Sequence, residues 1–150
     1  MMKPDWILIA NASQARLLRR ENGNLLVVLE SFEHPESRSK ISDLADDKMG
    51  WEKADRGFGG SAYQAPMDAK QKEHMRFARE LADHLEPQAL QGSFRSLAIF
   101  ASSPFLGKLK TELGAATARL LSSTHDLDLT SFDLGELEQR VASELAPFAR

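Results

Sequence analysis

"ARLLRRENGNLLVVLESFEH", residues 15–34, is the stretch on which the fold turns. Asn22-Gly23 lies between two apolar-rich segments. The favoured tight hairpin turn needs positive φ at both central residues, and asparagine and glycine tolerate this best. The pattern predicts a strand over "ARLLRRE" (residues 15–21), a tight turn at Asn22-Gly23, and a further strand over residues 24–34, rich in Val, Leu and Phe. Upstream, "WILIA" (residues 6–10) is a short apolar run suited to a strand buried on both faces, and "NASQ" punctuates it. Three sequential antiparallel strands, a meander, is the natural reading.

Beyond His34 the pattern dissolves. "ISDLADDK" fits one or two helical turns ended by Gly50, and the glycine-rich "RGFGGSAYQAP" (residues 56–66) follows, so a long flexible loop is expected at about residues 36–66. Periodicity returns at Asp68, an expected N-cap. His74, Phe77, Ala78, Leu81, Ala82 and Leu85 recur at helical spacing as the inward stripe. Lys70, Lys72, Glu73, Arg76, Arg79 and Glu80 are expected to face outward, and Glu86-Pro87 to close the helix.

"SLAIFA" (residues 96–101) reads as another buried strand. Ser102-Ser103-Pro104 then offers a cap with proline at the first helical position, and Phe105, Leu106, Leu109 and Leu113 point the next helix inward until Gly114. "ARLLSST" (residues 118–124) fits a strand or a helix and is taken as a strand. In the last helix Asp133 caps, Glu136 completes the capping box and Phe132 staples onto Leu137, with Leu134, Leu137, Val141 and Leu145 as its buried stripe. The order β-β-β-α-β-α-β-α gives an α/β fold, a mixed five-stranded sheet with helices on its faces, in a single domain over residues 1–150.

With 150 residues, 42% hydrophobic and 27% charged, and a formal net charge of -3, the chain has the composition of one globular domain. The acidic balance argues against a whole-surface nucleic-acid binder and leaves room for a local basic patch. Without cysteine there are no disulfides, thiolate metal sites or cysteine nucleophiles. No apolar stretch is long enough to span a bilayer and no leader pattern opens the chain, so a cytoplasmic protein without membrane insertion is expected.

The four histidines are scattered, and His74 and His84 are too far apart on one helix to chelate one ion. "WILIA" and "SLAIFASSP" carry no carboxylate at their ends, so no metal, no nuclease chemistry and no cofactor are expected. No catalytic residue is assigned. Ser102 and Ser103 form a candidate anion site, where hydroxyls and free backbone N–H groups converge at a helix start; a plain helix cap is the alternative. His34, in "HPESR", sits at a strand end beside the loop with Arg38. Around the glycines, Lys48, Lys53 and Arg56 supply cations while Trp51, Phe58 and Tyr63 interleave aromatics. Cations fix phosphates, aromatics stack on bases and glycines admit close backbone approach. The candidate binding residues are therefore His34, Arg38, Arg56, Gly57, Gly59, Gly60, Ser61, Tyr63 and Gln64. On residues alone, a surface loop and an RNA-contacting loop both remain open.

Nearly the whole chain resembles the bacterial family of proteins required for attachment to host cells. The residues that carry the resemblance are "WILIANASQARLL", "FEHPESRSK", the glycine-rich segment ending in "AYQAP", "FARELADHL", "LAIFASSPFLGKLKTEL" and the turn "HDLDLT". The layout is also similar to the middle domain of archaeal and eukaryotic peptide-chain release factors, in which a meander leads into a mobile Gly-Gly-Gln loop and a helix. That resemblance implies an RNase H-like or ribosomal S11-like fold and an RNA or ribosome partner. Here Gly59-Gly60 is followed by Ser61, and Gln64 comes later, so the catalytic glutamine is not in place. The expectation is a non-enzymatic binding protein that contacts RNA or the translation machinery through the glycine-rich loop from Lys48 to Gln64. The alternatives are a hydrolase of peptidyl-tRNA or a related ester, and a module that binds another protein.

Overall fold

The computed structural model describes residues 3–34 and 59–145, with side chains described from residue 69 onward in the second segment. β1 (Asp5–Ala10), β2 (Gln14–Arg20) and β3 (Leu26–Glu33) precede α1 (Gly59–Gln91). β4 (Ser96–Ala101), α2 (Phe105–Glu112), α3 (Ala115–Leu120), β5 (Leu121–His125) and α4 (Leu134–Leu145) complete the order. The five strands form one mixed sheet in the order β3-β2-β1-β4-β5. β1–β2 and β2–β3 are antiparallel, and β1–β4 and β4–β5 are parallel, as helix crossovers require.

Alternation along the strands divides the core in two. Trp6, Leu8, Ala10, Leu17, Leu97 and Ile99 face one layer with Phe77, Leu81 and Leu85 of α1 and Phe105 and Leu109 of α2. Ile7, Ile9, Leu18, Ala98 and Phe100 face the other, under Leu129 and the α4 residues Leu137 and Val141. β1 and β4 are buried throughout most of their length because both faces are covered. β3, at the sheet edge, is largely exposed. A bulge between Leu17 and Leu18 leaves Leu29 without a partner in β2.

The hairpin forms with a different turn from the one expected. The chain makes a single 3-10 turn over Asn22–Asn24, closed by Glu21 N–H donating to the Leu25 carbonyl at 2.7 Å, and β3 begins only at Leu26. Positive φ falls on Gly23 (73°) and Asn24 (67°) rather than on Asn22 and Gly23. A second asparagine, equally tolerant of that conformation, let the turn move by one residue.

α1 exceeds its expected limits at both ends. It begins at Gly59, so the last part of the expected loop, including Gly59, Gly60, Ser61, Tyr63 and Gln64, is helical in its backbone. Extending an established helix adds one hydrogen bond per residue fixed, which offsets the weak propensity of glycine and serine. At the other end it passes through Pro87, because Leu85 and Ala89 continue the buried stripe. It stops at Gly92, with φ 74°, where Gly92 N–H donates to the Ala89 carbonyl and Ser93 N–H to the Gln88 carbonyl. That pair of bonds is a Schellman cap.

Three smaller expectations are corrected. Pro104 is itself the cap residue of α2 and follows a cis peptide bond, with no side-chain cap bond. Residues 118–124 divide between the end of α3 and β5. Asp133 does cap α4 by accepting the Glu136 N–H at 2.9 Å, but the Glu136 carboxylate turns to Arg140, and Leu134 is exposed, outside the buried stripe.

α3 receives its cap from another helix. The Glu86 carboxylate of α1 accepts the Ala116 and Thr117 N–H groups, each at 3.0 Å, and the Thr117 hydroxyl at 2.7 Å. A Cβ at Gly114 would overlap that carboxylate, so glycine there makes room for it. The bond from the Thr117 hydroxyl, then those from the two N–H groups, hold the Glu86 carboxyl below its ordinary value of 4.5. A depressed folded-state pKa contributes stability above the unfolded value, and the contribution is lost as pH falls through the folded value. Glu86→Gln should therefore be less stable than the wild type near neutral pH, with the difference narrowing toward about pH 3. Urea midpoints at the two pH values measure this, and an unchanging difference would contradict it.

Candidate functional site

The site is built where the chain leaves β3 and where α1 passes beneath it. His34 follows the last residue of β3, and its backbone N–H donates to the Ser13 carbonyl at 2.8 Å, fixing the strand end to the β1–β2 turn. Its ring is turned inward and the residue is only 7% exposed. Glu73, Phe77 and Glu80 of α1 recur at i, i+4 and i+7, and all three meet this ring. His34 Nε2 lies 2.9 Å from Glu73 Oε1, and Nδ1 lies 4.0 Å from Glu80 Oε1. The ring stacks on Phe77 at 5.1 Å between centroids with a 16° interplanar angle. Phe77 in turn stacks on Phe105 of α2 at 5.9 Å.

Glu73 is only 5% exposed, although it had been expected to face outward. The signal was present in the sequence. Glu73 lies four residues before Phe77 and eight before Leu81, so it falls on the apolar row itself. A carboxylate on that row requires a buried partner, and His34 supplies it. The second carboxylate oxygen, Oε2, accepts from Arg76 Nη1 at 3.2 Å. Glu73 thus links a buried histidine to an arginine whose side chain is 59% exposed.

Arg76 belongs to a basic row. Lys72, Arg76 and Arg79 occupy i, i+4 and i+7 on the solvent side of α1 and, with Gln71 and Met75, line an open cleft of about 480 Å³. Arg79 is held by Glu112 of α2 through Nε at 3.1 Å. Lys70 and Lys108 add charge nearby: after burial, they are the main causes that hold the His74 pKa below its ordinary value. His74, expected on the buried stripe, is half-buried. Lys72, Arg76 and Arg79 thus share one cleft on a chain whose formal net charge is -3.

Among the expected binding residues, Arg38, Arg56 and Gly57 lie outside the described residues. Gly59, Gly60, Ser61, Tyr63 and Gln64 lie in the first turns of α1, on the same helix as Glu73 and the basic row. At the candidate anion site, the Ser103 N–H and hydroxyl already donate to the Asp126 carboxylate at 3.0 and 2.9 Å. The protein's own carboxylate occupies those donors. Ser102 contributes its carbonyl, which accepts the Leu106 N–H at 3.0 Å.

β1 begins one residue earlier than expected, at Asp5, whose carboxylate accepts from Arg95 and from the Ser96 hydroxyl, and further carboxylates follow β5. Asp128 accepts from Asn11 Nδ2 at 3.1 Å and from the Thr130 N–H and hydroxyl at 3.0 and 2.6 Å. Asp126 and Asp128 thus tie the β5 exit to the β4–α2 junction and to the end of β1. Among the described residues, no group of three or more His, Cys, Asp or Glu is placed to hold a metal ion. None of the described helices is long and apolar enough to cross a membrane.

A family model described as "Protein required for attachment to host cells" matches residues 6–141. No curated protein gives a significant match. Among solved structures, the chain is similar to one described as "Archaeal protein", with a TM-score of 0.46, 12% identity, and coverage of 97% of this chain and 39% of that one. It is also similar to an archaeal translation termination factor, aRF1, with a TM-score of 0.45, 13% identity, and coverage of 97% and 40%. A third is a PilM-PilN type IV pilus biogenesis complex, with a TM-score of 0.38, 17% identity, and coverage of 96% and 43%. The chain spans about two fifths of the length of each of these.

Proposed function

The chain belongs to the family of proteins required for attachment to host cells, and from that premise we propose that it is a cytoplasmic, non-enzymatic binding protein that engages RNA, alone or within the translation machinery, through the basic side of α1. Any part in attachment is then indirect. The observation that carries this reading is the row of Lys72, Arg76 and Arg79 along one exposed helix side. Adjacent turns of a helix place such side chains about 5–6 Å apart, so one nucleic-acid strand can meet several of them at once. Phosphate neutralisation releases counterions, which gives such a row affinity without sequence preference.

Single-stranded RNA titrated against the protein at several salt concentrations tests the proposal. The triple variant Lys72→Ala, Arg76→Ala, Arg79→Ala should bind roughly tenfold more weakly at low salt and lower the magnitude of the log–log salt slope by about 2, at about 0.7 per phosphate contact for a single strand. Equal affinity and equal slope in the triple variant and the wild type would overturn it. So would the absence of any binding by the wild type to RNA or ribosomes at low salt.

A further inference from the structure

Ser123 and His125 lie two residues apart on β5, the sheet edge opposite β3, so their side chains share a face. Their partners in β4 are Ala98 and Phe100, both of the layer under α4. The Ser123 hydroxyl lies 2.9 Å from His125 Nε2, and Glu144 Oε1 of α4 lies 3.6 Å from Nδ1. The ring stacks on Phe100 at 4.3 Å between centroids with an 11° interplanar angle. We propose that Ser123 is a nucleophile activated by His125 and Glu144, and that it takes the acyl group of a small activated ester from the cleft beside it. The site faces away from α1, across the sheet. The step ends at the acyl-serine and needs no turnover, so it adds a modification site to the proposed binding role and does not depend on it.

A serine hydroxyl is a weak nucleophile until a base stands within reach of its proton and a third group orients that base. A carboxylate can only accept, so Glu144 beside Nδ1 favours the tautomer with the proton on that nitrogen. Nε2 then accepts from the Ser123 hydroxyl. At 3.6 Å the Glu144 contact is an ion-pair contact rather than a hydrogen bond, and the stack on Phe100 fixes the ring plane that the carboxylate alone would leave loose.

A serine that only satisfied a histidine would need no space for a reactant, and Ser123 has one. It lines an open cleft of about 360 Å³ together with the apolar side chains of Ile7, Ala98 and Leu145. That volume lies toward the lower end of the roughly 300–1,000 Å³ of small-molecule clefts, and it suits a short apolar acyl chain. Asp5 also lines the cleft, but its carboxylate is engaged by Arg95 and the Ser96 hydroxyl. In the step, Ser123 Oγ bonds to the acyl carbon and the ester C–O bond breaks. The hydroxyl proton passes to His125 Nε2 and from there to the departing oxygen, which leaves as the alcohol.

A fluorophosphonate carrying a fluorophore tests for the activated serine, because attack by Oγ displaces fluoride and leaves a stable phosphonyl ester. The folded full chain should gain one adduct, placed on Ser123 by peptide mass spectrometry, and heat-denatured protein should gain none. With p-nitrophenyl butyrate, release of nitrophenol should match the appearance of a butyryl group on the same residue. Ser123→Ala should take neither label, while Ser122→Ala should label as the wild type does. His125→Gln should label at least about a hundredfold more slowly, the lower end of the range for a general base. Glu144→Gln should label more slowly than the wild type without losing the reaction. The Glu144 side chain is 43% exposed, so this variant tests the relay even where His125→Gln folds poorly.

Absence of any adduct on the folded wild type overturns the proposal. So does an adduct that persists in Ser123→Ala, or a labelling rate that is unchanged in His125→Gln or in Glu144→Gln.

Discussion

Phe77→Ala is expected to lower the folding free energy by about 3–5 kcal/mol, the range for deleting a fully buried phenylalanine. Phe77 has no exposed surface and sits where three elements meet: α1, Phe105 of α2, and the His34 ring at the end of β3. Its removal takes away the burial of one aromatic ring and two ring contacts, and the cavity cannot close without moving α1 relative to the sheet. Leu90→Ala on the same helix provides the contrast. Leu90 is 72% exposed, and its loss should stay within about 0.5 kcal/mol. Urea denaturation of both variants measures the difference, and a Phe77→Ala loss below about 1 kcal/mol would show that the junction is not where the fold is anchored.

Glu73→Ala should cost about 2–3 kcal/mol near neutral pH, because it leaves the buried His34 ring without its closest partner and opens space in a packed layer. Glu73→Gln keeps the shape and one hydrogen-bonding oxygen and should cost about 1 kcal/mol. A double-mutant cycle with His34→Phe separates the pair from its surroundings. Phenylalanine keeps the stack on Phe77 but has no ring N–H to satisfy, so Glu73→Ala should cost less in that background than in the wild type. Full additivity in the cycle would show that the two residues are only neighbours. A Glu73→Ala loss under about 0.5 kcal/mol would contradict the burial on which the site rests.

Much of this architecture follows from local chemistry. "WILIA" and "SLAIFA" are strands because both faces of the sheet are covered, and a continuous apolar run has no other place in so short an element. The hairpin was legible from its turn residues, and the α4 start from Asp133. The turn register was not legible, since Asn22, Gly23 and Asn24 offer two placements of positive φ with the same local cost.

The candidate site was half visible. His34 stood out as a histidine at a strand end, and the basic residues of α1 were assigned to its outer side. What joined them was not read, because Glu73 was assigned by its charge rather than by its place on the helical row. Its partner lies 39 residues away in sequence, a separation that periodicity along α1 does not span.

The sequence by itself determined the order of the five strands and of the three longer helices, the mixed sheet and its covered faces, but not the short α3, because these depend on periods of two and about 3.6 residues and on turn chemistry that acts over a few positions. The tertiary structure decided which polar groups are paired. It placed Glu73 beneath His34, Glu86 at the start of α3, and Asp126 on Ser103. The physical reason is common to all three. A carboxylate's pattern value is that of a surface residue, and only the arrival of donors from distant segments makes burial or capping the lower free-energy choice.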